Sequence, residues 1–461
     1  MDKNIGSIIR LVVSSIDINN FTPFTVDESY ESVGTGFFIS ENKILTCAHV
    51  VANGVKTIFT IPGKERKKYE ASVISLCFDR DIALLESIEY KSKTFLELGD
   101  SDKIKTEDSV TAIGYPLGDS NIKVTGGKIS GRQNGLIQTY VPINKGNSGG
   151  PLLFKNKVIG VNSEKIIGND IDGISYSIPI NNIKVILNEL KNPTFEDKII
   201  YDSVLGVIIQ KTNEDLRKFF GYYDNNGILI KKIIKESPLY KAGVRESDIV
   251  YKINDYSIDD NGDISVEWSF DKIYINNLFG TFSLDEEIKI SFFCVRESVK
   301  KEITIKLDPK FRINILNKYP PFQKLDYEVI GGLVLMDLNM NHIHNISDEN
   351  IETNKLDIIK HSQIENLQKK KILITSVLNG SSLKTNLEIK SGLFLINING
   401  RNVNTLEEFR EYVKKSYKLN KNKYIYLKLS NKEQFILDIN KTKNEDLKLS
   451  KLYNYKISNL Y

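Results

Sequence analysis

Asn144-Lys145-Gly146-Asn147-Ser148-Gly149-Gly150-Pro151-Leu152 decides the fold expected for this chain. A serine hydroxyl is a weak nucleophile unless a base and a group that stabilises negative charge lie beside it. Glycines around Ser148 leave the backbone N–H groups open to a carbonyl oxygen and permit the tight turn that presents them. Two apolar runs separated by a polar turn, at 151–154 and 158–161, follow the serine and indicate a β-hairpin. An α/β-hydrolase would have a helix there, so the pattern favours the chain order His, Asp, Ser.

One histidine precedes Ser148, and it is the candidate base. His49 follows an apolar strand pattern in Ile44-Leu45-Thr46-Cys47-Ala48-His49, which is similar to the Thr-Ala-Ala-His context of trypsin-like proteases. The alternative is a buried histidine with satisfied hydrogen bonds, and the flanking sequence favours the base.

Two carboxylates are candidates for the acid between His49 and Ser148. Asp81 opens the apolar run Asp81-Ile82-Ala83-Leu84-Leu85, which would hold its side chain in a fixed place. Asp79 lies two residues earlier. The residues alone leave both open.

The motifs together resemble the HtrA/protease Do family of serine proteases. Val33-Gly34-Thr35-Gly36-Phe37, the His49 and Asp81 motifs, Ala112-Ile113-Gly114-Tyr115-Pro116 and the Ser148 motif occur in that family's order. The resemblance implies that Asp81 is the acid, which fixes the His49 tautomer, and that the amides of Gly146 and Ser148 form the oxyanion hole. It implies no cofactor. The expected fold is mainly β, a trypsin/chymotrypsin-like double β-barrel followed by two PDZ-like α+β domains, as in the plant-type branch of the family.

Domain boundaries follow polar and proline-containing stretches. We expect a protease domain at 1–193, a first PDZ domain at 200–310, a second PDZ-like domain at 326–445 and a polar tail at 446–461. By resemblance, Val204, Leu205 and Gly206 of the first PDZ domain bind peptide C-termini, although a spacer without ligand is the alternative. The second domain is expected to serve assembly or regulation.

The segment before the active-site glycine bears on specificity. Trypsin-type cleavage needs an acid six residues before the nucleophile, and this chain has Pro142 there. Tyr140, Val141 and Pro142 are therefore the candidate substrate pocket, and aliphatic residues rather than Lys or Arg are expected at P1. Relatives usually have Asp-Ala-Ala at these positions, so this segment departs from the family pattern.

Composition excludes several other functions. The net charge is +4 over 461 residues, which gives no case for nucleic-acid binding. The three cysteines cannot form a disulfide framework and indicate reduced thiols. No metal site is expected, because His342 and His344 have no Cys or further His nearby and a loop or surface role is favoured.

The N-terminal segment suggests a location and an assembly. Residues 7–13 are strand-like and interrupted by Arg10, so we expect no signal or transit peptide and favour the cytoplasm. No run approaches the roughly 18 apolar residues of a membrane span. Phe21, Pro23 and Phe24 lie where relatives place trimer contacts, so a homo-trimer or a multiple of trimers is expected; a local packing cluster is the alternative.

Three functions follow from these observations. The favoured one is an ATP-independent serine endopeptidase that cleaves unfolded or exposed polypeptides in protein quality control. A catalytically silent PDZ scaffold or chaperone would show a damaged triad, and none is seen. A narrowly regulated processing protease has the same motifs, and substrate profiling would separate it from the first.

Overall fold

The computed structural model describes residues 2–163, 174–194, 198–347, 354–418, 423–458 and 460. The chain forms two compact units. The first contains Met1–Ser15 and Tyr30–Arg312, and the second contains Ile16–Ser29 and Ile313–Tyr461. The second unit therefore takes in the tip of an N-terminal hairpin. The division is coarser than the four segments expected from the sequence, whose bounds stay predictions.

The first half of the predicted double barrel is a six-stranded sheet that closes on itself. Its strands alternate buried and less buried residues, as one-sided strands do; Leu11 and Val13 point into the core. The neighbours run β5-β4-β1-β2-β3-β6, and a β5–β6 pairing completes the barrel. The elements are α1 Asp2–Ile5, β1 Ile8–Ile18, β2 Val26–Phe38, β3 Lys43–Thr46, α2 Ala48–Val51, β4 Gly54–Thr60, β5 Tyr69–Cys77 and β6 Ile82–Ser87.

The second half is also a closed six-stranded barrel, which confirms the predicted fold class. The order around it is β10-β11-β12-β9-β8-β7. The hairpin expected after Ser148 is β10–β11, in which Pro151 pairs with Val161. The elements are a 3-10 helix Ser101–Lys103, β7 Ser109–Gly114, a 3-10 helix Pro116–Gly118, β8 Lys123–Gln133, β9 Leu136–Thr139, β10 Pro151–Phe154, β11 Lys157–Asn162, β12 Ser175–Pro179, α3 Ile180–Lys184 and α4 Leu187–Lys191. The chain then returns to the first barrel, where β13 Ile199–Ile200 pairs with β5.

The rest of the first unit is a sheet with short helices, where the first PDZ domain is expected. The sheet order is β14-β15-β16-β20-β21, so β14 is its terminal strand. Ser237 caps α6 by accepting a hydrogen bond from the Tyr240 amide, and Pro238 takes the first helical position. The elements are β14 Val207–Gln210, α5 Glu214–Phe219, β15 Ile228–Ile233, α6 Pro238–Lys241, β16 Ile249–Ile253, β17 Tyr256–Ser257, β18 Asp263–Ile264, β19 Ile273–Tyr274, α7 Ile275–Leu278, a 3-10 helix Phe279–Thr281, β20 Glu287–Cys294 and β21 Val299–Lys306.

The second unit is built on a sheet in the order β22-β23-β24-β25-β27-β28. Gly331 and Gly332 join β22 to β23 in a two-residue turn, with φ of +57° and +78° that suit glycine. The elements are β22 Glu328–Ile330, β23 Leu333–Asp337, α8 Met340–His344, a 3-10 helix Asn345–Ser347, α9 Lys355–Ile359, a 3-10 helix Lys360–Ser362, β24 Ile372–Val377, a 3-10 helix Ser382–Thr385, β25 Phe394–Ile398, β26 Arg401–Asn402, α10 Leu406–Lys418, β27 Tyr424–Leu429, β28 Gln434–Asp438 and α11 Ile439–Tyr453.

The described part of the C-terminal stretch 446–461 is not the polar tail that its composition suggests. Its residues up to Tyr453 form the end of α11, and its buried residues are Asp446, Leu449, Tyr455 and Leu460. Ile439, Thr442, Asp446 and Leu449 recur at helical spacing, so one narrow face packs on the domain while the lysines and asparagines remain outside. The abundance of polar residues concealed this face.

The aromatic residues at the tip of the N-terminal hairpin pack within the second unit. Phe21 is 3% exposed and lies 5.5 Å from the His342 ring. Phe24 contacts Tyr327 and Tyr455 at ring distances of 5.5 and 5.3 Å. These contacts favour the local packing cluster as the role of Phe21 and Phe24.

His342 is a buried residue rather than the loop or surface residue that was expected. Its Nδ1 accepts a hydrogen bond from the Asn339 amide (3.2 Å), and its Nε2 donates to the carbonyl of Asn20 (2.9 Å). Burial lowers its pKa to about 4. The imidazole is therefore neutral near pH 7 and links the helix start to the hairpin.

None of the helices in the described ranges combines the length and apolarity needed to cross a bilayer.

Candidate active site

The structure brings His49 and Asp81 together. His49 lies in α2, directly after β3, and Asp81 precedes β6, which pairs with β3. His49 Nδ1 lies 2.8 and 2.9 Å from the two Asp81 carboxylate oxygens, and the His49 amide donates to Oδ1 at 3.0 Å. The Ala48 amide donates to the Asp81 carbonyl at 3.1 Å. These contacts orient the ring with Nδ1 toward the acid.

Asp81 rather than Asp79 occupies this position. Burial alone would raise the Asp81 pKa, but the hydrogen bonds and charge of His49 outweigh it, and the pKa lies below its ordinary value. Asp79 accepts a hydrogen bond from the Asp202 amide at 2.8 Å, and burial raises its pKa. The carboxylate at His49 is therefore held ionised.

Ser163 is a residue of this site that the sequence reasoning missed. It follows β11, and its Oγ donates to Asp81 Oδ2 at 2.8 Å. This hydrogen bond also favours the ionised form of Asp81. No local motif marks the residue, and only its place after the strand that pairs with β10 could have suggested it.

Ser148 lies in the turn between β9 and β10 and is 4% exposed. The Thr35 amide donates to its carbonyl at 2.9 Å, and the next residue, Gly149, donates to the Asn162 carbonyl at 2.8 Å. A Cβ on Gly149 would lie 2.1 Å from Thr46 Oγ1 and 3.0 Å from the Cys47 amide nitrogen. The serine turn therefore packs directly on the segment that leads to His49, which explains the requirement for glycine.

Cys47 is an inert thiol beside this pair. It is fully buried, and its Sγ donates to the Asn162 carbonyl at 3.2 Å. Burial, with the nearby charge of Asp81, raises its pKa well above the ordinary value. Donor atoms of Cys47, His49 and Asp81 lie within 4.8 Å of one another, but the thiol is protonated and His49 is bonded to Asp81. This set fits a hydrogen-bonded site better than a metal site.

The three residues expected to form the substrate pocket are divided by the structure. Val141 is buried in the core of the second barrel. Tyr140 is 57% exposed, and Pro142 is exposed as well. The exposed pair is thus available to a substrate, whereas Val141 supports the segment from below.

The loop expected to bind peptide C-termini precedes β14, the terminal strand of its sheet. Val204 is 41% exposed, and Leu205 packs on the core beneath the sheet. Gly206 has a φ of +68°, and a Cβ there would lie 2.6 Å from the Ser237 side chain. The loop therefore combines a tight glycine turn with the terminal strand of the sheet.

Comparisons with known proteins agree with this architecture. The family described as "Trypsin-like peptidase domain" matches residues 34–161, and the family described as "PDZ domain" matches residues 318–460. The solved HtrA-type protease AlgW with decapeptide superposes with a TM-score of 0.51 at 21% identity, over 66% of this chain and 96% of that one. At that identity the likeness concerns the fold.

Sequence relatives extend over most of the chain. A probable periplasmic serine endoprotease DegP-like of Rickettsia conorii is 29% identical over 423 residues, which are 86% of this chain and 75% of that protein. The putative protease Do-like 3, mitochondrial, of Arabidopsis thaliana is 28% identical over 90% of this chain and 73% of that protein. These names refer to the periplasm and mitochondria and do not support the cytoplasmic expectation. With both domain types and this coverage, the chain is a homologue of DegP-like and protease Do-like serine endoproteases.

Proposed function

We propose that this chain hydrolyses peptide bonds in unfolded or exposed polypeptides by means of His49, Asp81 and Ser148. The observation that carries the proposal is the His49–Asp81 pair beside the glycine turn that holds Ser148. Its relatives are named serine endoproteases, which supports the same activity. A role in protein quality control is consistent with these names and is part of the proposal.

Each residue has a defined task in the proposed reaction. Ser148 Oγ attacks the scissile carbonyl while His49 Nε2 accepts the hydroxyl proton and later delivers it to the leaving amine. Asp81 accepts a hydrogen bond from the Nδ1–H group, which keeps that proton on the ring, and stabilises the imidazolium that forms. The amides of Gly146 and Ser148 donate to the negative oxygen of the tetrahedral intermediate. Water then hydrolyses the acyl-enzyme by the same steps.

The proposed substrate preference follows from the segment before the nucleophile. Pro142 stands where an acid would be needed to pair with Lys or Arg, so aliphatic P1 residues are preferred. Polypeptide C-termini are the proposed ligands of the loop 204–206, because the edge of β14 can accept a strand and the loop can hold a carboxylate.

The test compares the purified chain with Ser148→Ala on unfolded casein, each with and without a peptide that has an apolar C-terminus. Cleavage by the unaltered chain alone is expected, since the variant keeps the fold and lacks the nucleophile. Equal cleavage by both proteins would exclude Ser148 as the nucleophile. Stimulation by the peptide, but not by its C-terminally amidated form, would assign the carboxylate to the loop 204–206.

A further inference from the structure

A turn outside the catalytic segment shapes the oxyanion loop. Gly146 has a φ of +94°, and a Cβ there would lie 2.3 Å from the Tyr115 carbonyl oxygen and 3.0 Å from the Gly118 nitrogen. The turn 115–118 is thus in direct backbone contact with the residue whose amide is proposed to bind the oxyanion. The Thr35 hydroxyl donates to the Gly146 carbonyl at 2.7 Å on the other side of the residue.

The same turn determines which way the peptide bond before Gly146 faces. The Leu117 amide donates to the Lys145 carbonyl. In a trans peptide the C=O and the following N–H point in opposite directions. Holding the Lys145 oxygen at Leu117 therefore aims the Gly146 N–H away from the turn. If this peptide rotated by half a turn, it would offer an oxygen instead of a donor to the intermediate.

The turn needs an anchor, because Leu117 adopts a disfavoured conformation. Its φ is +56° and its ψ is +19°, which lie in the left-handed region that is energetically unfavourable for residues with a Cβ. Its side chain is 80% exposed, so apolar packing contributes little to holding it there. Hydrogen bonds must hold the turn in this conformation.

Arg10 supplies that anchor from β1 of the first barrel. Its Nη2 and Nε donate to the Gly118 carbonyl at 2.8 and 3.2 Å. Arg10 is fixed in turn by the pairing of β1 with β4, where it faces Thr60. A forked guanidinium that makes two bonds to one oxygen sets direction as well as distance.

We propose that Arg10 is a positioning residue for the oxyanion hole. It fixes the turn 115–118, the Leu117 amide fixes the Lys145 carbonyl, and the Gly146 N–H is thereby directed to the intermediate. The inference rests on the proposed peptidase function. By this inference, a residue of the first barrel helps to organise the oxyanion loop of the second barrel.

The experiment compares Arg10→Met, Arg10→Lys and the control Lys184→Met, which removes another cationic bond to a backbone carbonyl, that of Gly99. The readouts are kcat and KM on a peptide substrate, and the affinity for a peptide boronic acid and for the product peptide. Arg10→Met should lower kcat and boronate affinity by about tenfold, less than the roughly 10²–10³ of losing a donor outright. KM and product affinity should change less, by about twofold at most, since the oxyanion donors interact most strongly with the charge that develops in the intermediate. Arg10→Lys should have a kcat and a boronate affinity between those of Arg10→Met and the unaltered chain. Lys184→Met should match the unaltered chain in both.

Hydrogen exchange of the segments 115–119 and 144–148 tests the anchor without reference to activity. Arg10→Met should speed exchange in both segments, and Lys184→Met in neither. Unchanged exchange, or unchanged kcat and boronate affinity in Arg10→Met, would overturn the inference. Were the unaltered chain inactive and equal to Ser148→Ala, the proposed function would fail, and the exchange result would still decide whether Arg10 holds the turn.

Discussion

Asp79 and Asp81 are two carboxylates separated only by Arg80, and the structure gives them opposite environments. Asp81 bonds to His49 and Ser163 and has a lowered pKa, whereas Asp79 bonds to the Asp202 amide and has a raised one. Only the first can fix the His49 tautomer. The two residues therefore provide a matched pair for mutation.

Asp81→Asn should lower kcat by about 10³–10⁴, because an amide favours the wrong tautomer of the base. Asp79→Asn should keep kcat within about tenfold of the unaltered chain. Peptide hydrolysis across pH measures both. A larger loss in Asp79→Asn than in Asp81→Asn would reverse the assignment of the acid.

Asp446 is a buried carboxylate whose ionisation should make stability depend on pH. Burial raises its pKa from 3.8 to about 7, despite hydrogen bonds from the Gly331 and Gly332 amides, with Glu445 and Glu328 nearby. Its Oδ2 has no hydrogen-bond partner in the part of the chain that the structure describes. The folded state thus binds this proton more tightly than the unfolded state does.

The raised folded-state pKa means that the stabilising contribution is complete below about pH 4 and is lost as pH rises through about 7. The interval from 3.8 to about 7 corresponds to about 4 kcal/mol at most. Urea unfolding of the second unit, followed by hydrogen exchange in α11, should show this slope. Asp446→Asn should flatten it, and Glu445→Gln, which removes only a smaller contribution to the raised pKa, should leave most of it in place. An unchanged slope in Asp446→Asn would assign the pH dependence elsewhere.

At the scale of elements, Arg80 connects several segments of the first unit. Its Nε donates to Asp202 Oδ1 at 2.7 Å, and its other nitrogens donate to the carbonyls of Asn182, Gly280 and Phe282 at 2.6–3.0 Å. The side chain is 5% exposed. It thereby joins the turn before β6, which carries Asp81, to α3 and to the segment after α7.

Arg80→Met should lower the free energy of unfolding of the first unit by about 3–5 kcal/mol, because Asp202, whose side chain is 21% exposed, loses its charged partner and three backbone carbonyls lose their donor. Adding Asp202→Asn should recover part of the loss, since the uncompensated charge is removed. Denaturant unfolding of both variants measures the coupling. Strictly additive losses would show that the pair does not interact.

The hairpin tip 16–29 was expected to make trimer contacts, but its aromatic residues pack within the second unit. Phe21→Ala should cost about 3–5 kcal/mol in the second unit, because a large ring leaves a packed cluster. Phe270, which is fully exposed, gives the matched control, and Phe270→Ala should change stability by less than about 0.5 kcal/mol. Hydrogen exchange within the second unit measures its stability, and size-exclusion chromatography measures the oligomeric state. If Phe21→Ala instead dissociated an oligomer and left the second unit folded, the result would support the predicted role of Phe21 in a trimer contact.

Over the whole molecule, the features that could be predicted from the sequence are those encoded in short local motifs. His49, Asp81 and Ser148 each lie in a short motif with strand and turn signals around it, and those signals also predict the paired barrels. Ser163, Arg10 and Phe21 lie outside any such motif. Their roles arise from contacts between residues far apart in the chain, such as the bond between His342 and Asn20, and periodicity over a short window cannot show these.

The strand β14, which follows the loop expected to bind peptide C-termini, lies at one end of its sheet. An uncovered edge invites pairing with another copy of the chain and hence aggregation. β14 is only four residues long, and its register shifts between Ile208 and Ile209. A short, irregular edge supports few intermolecular backbone bonds, so this strand can stand at the end of its sheet with little tendency to pair with another copy of the chain.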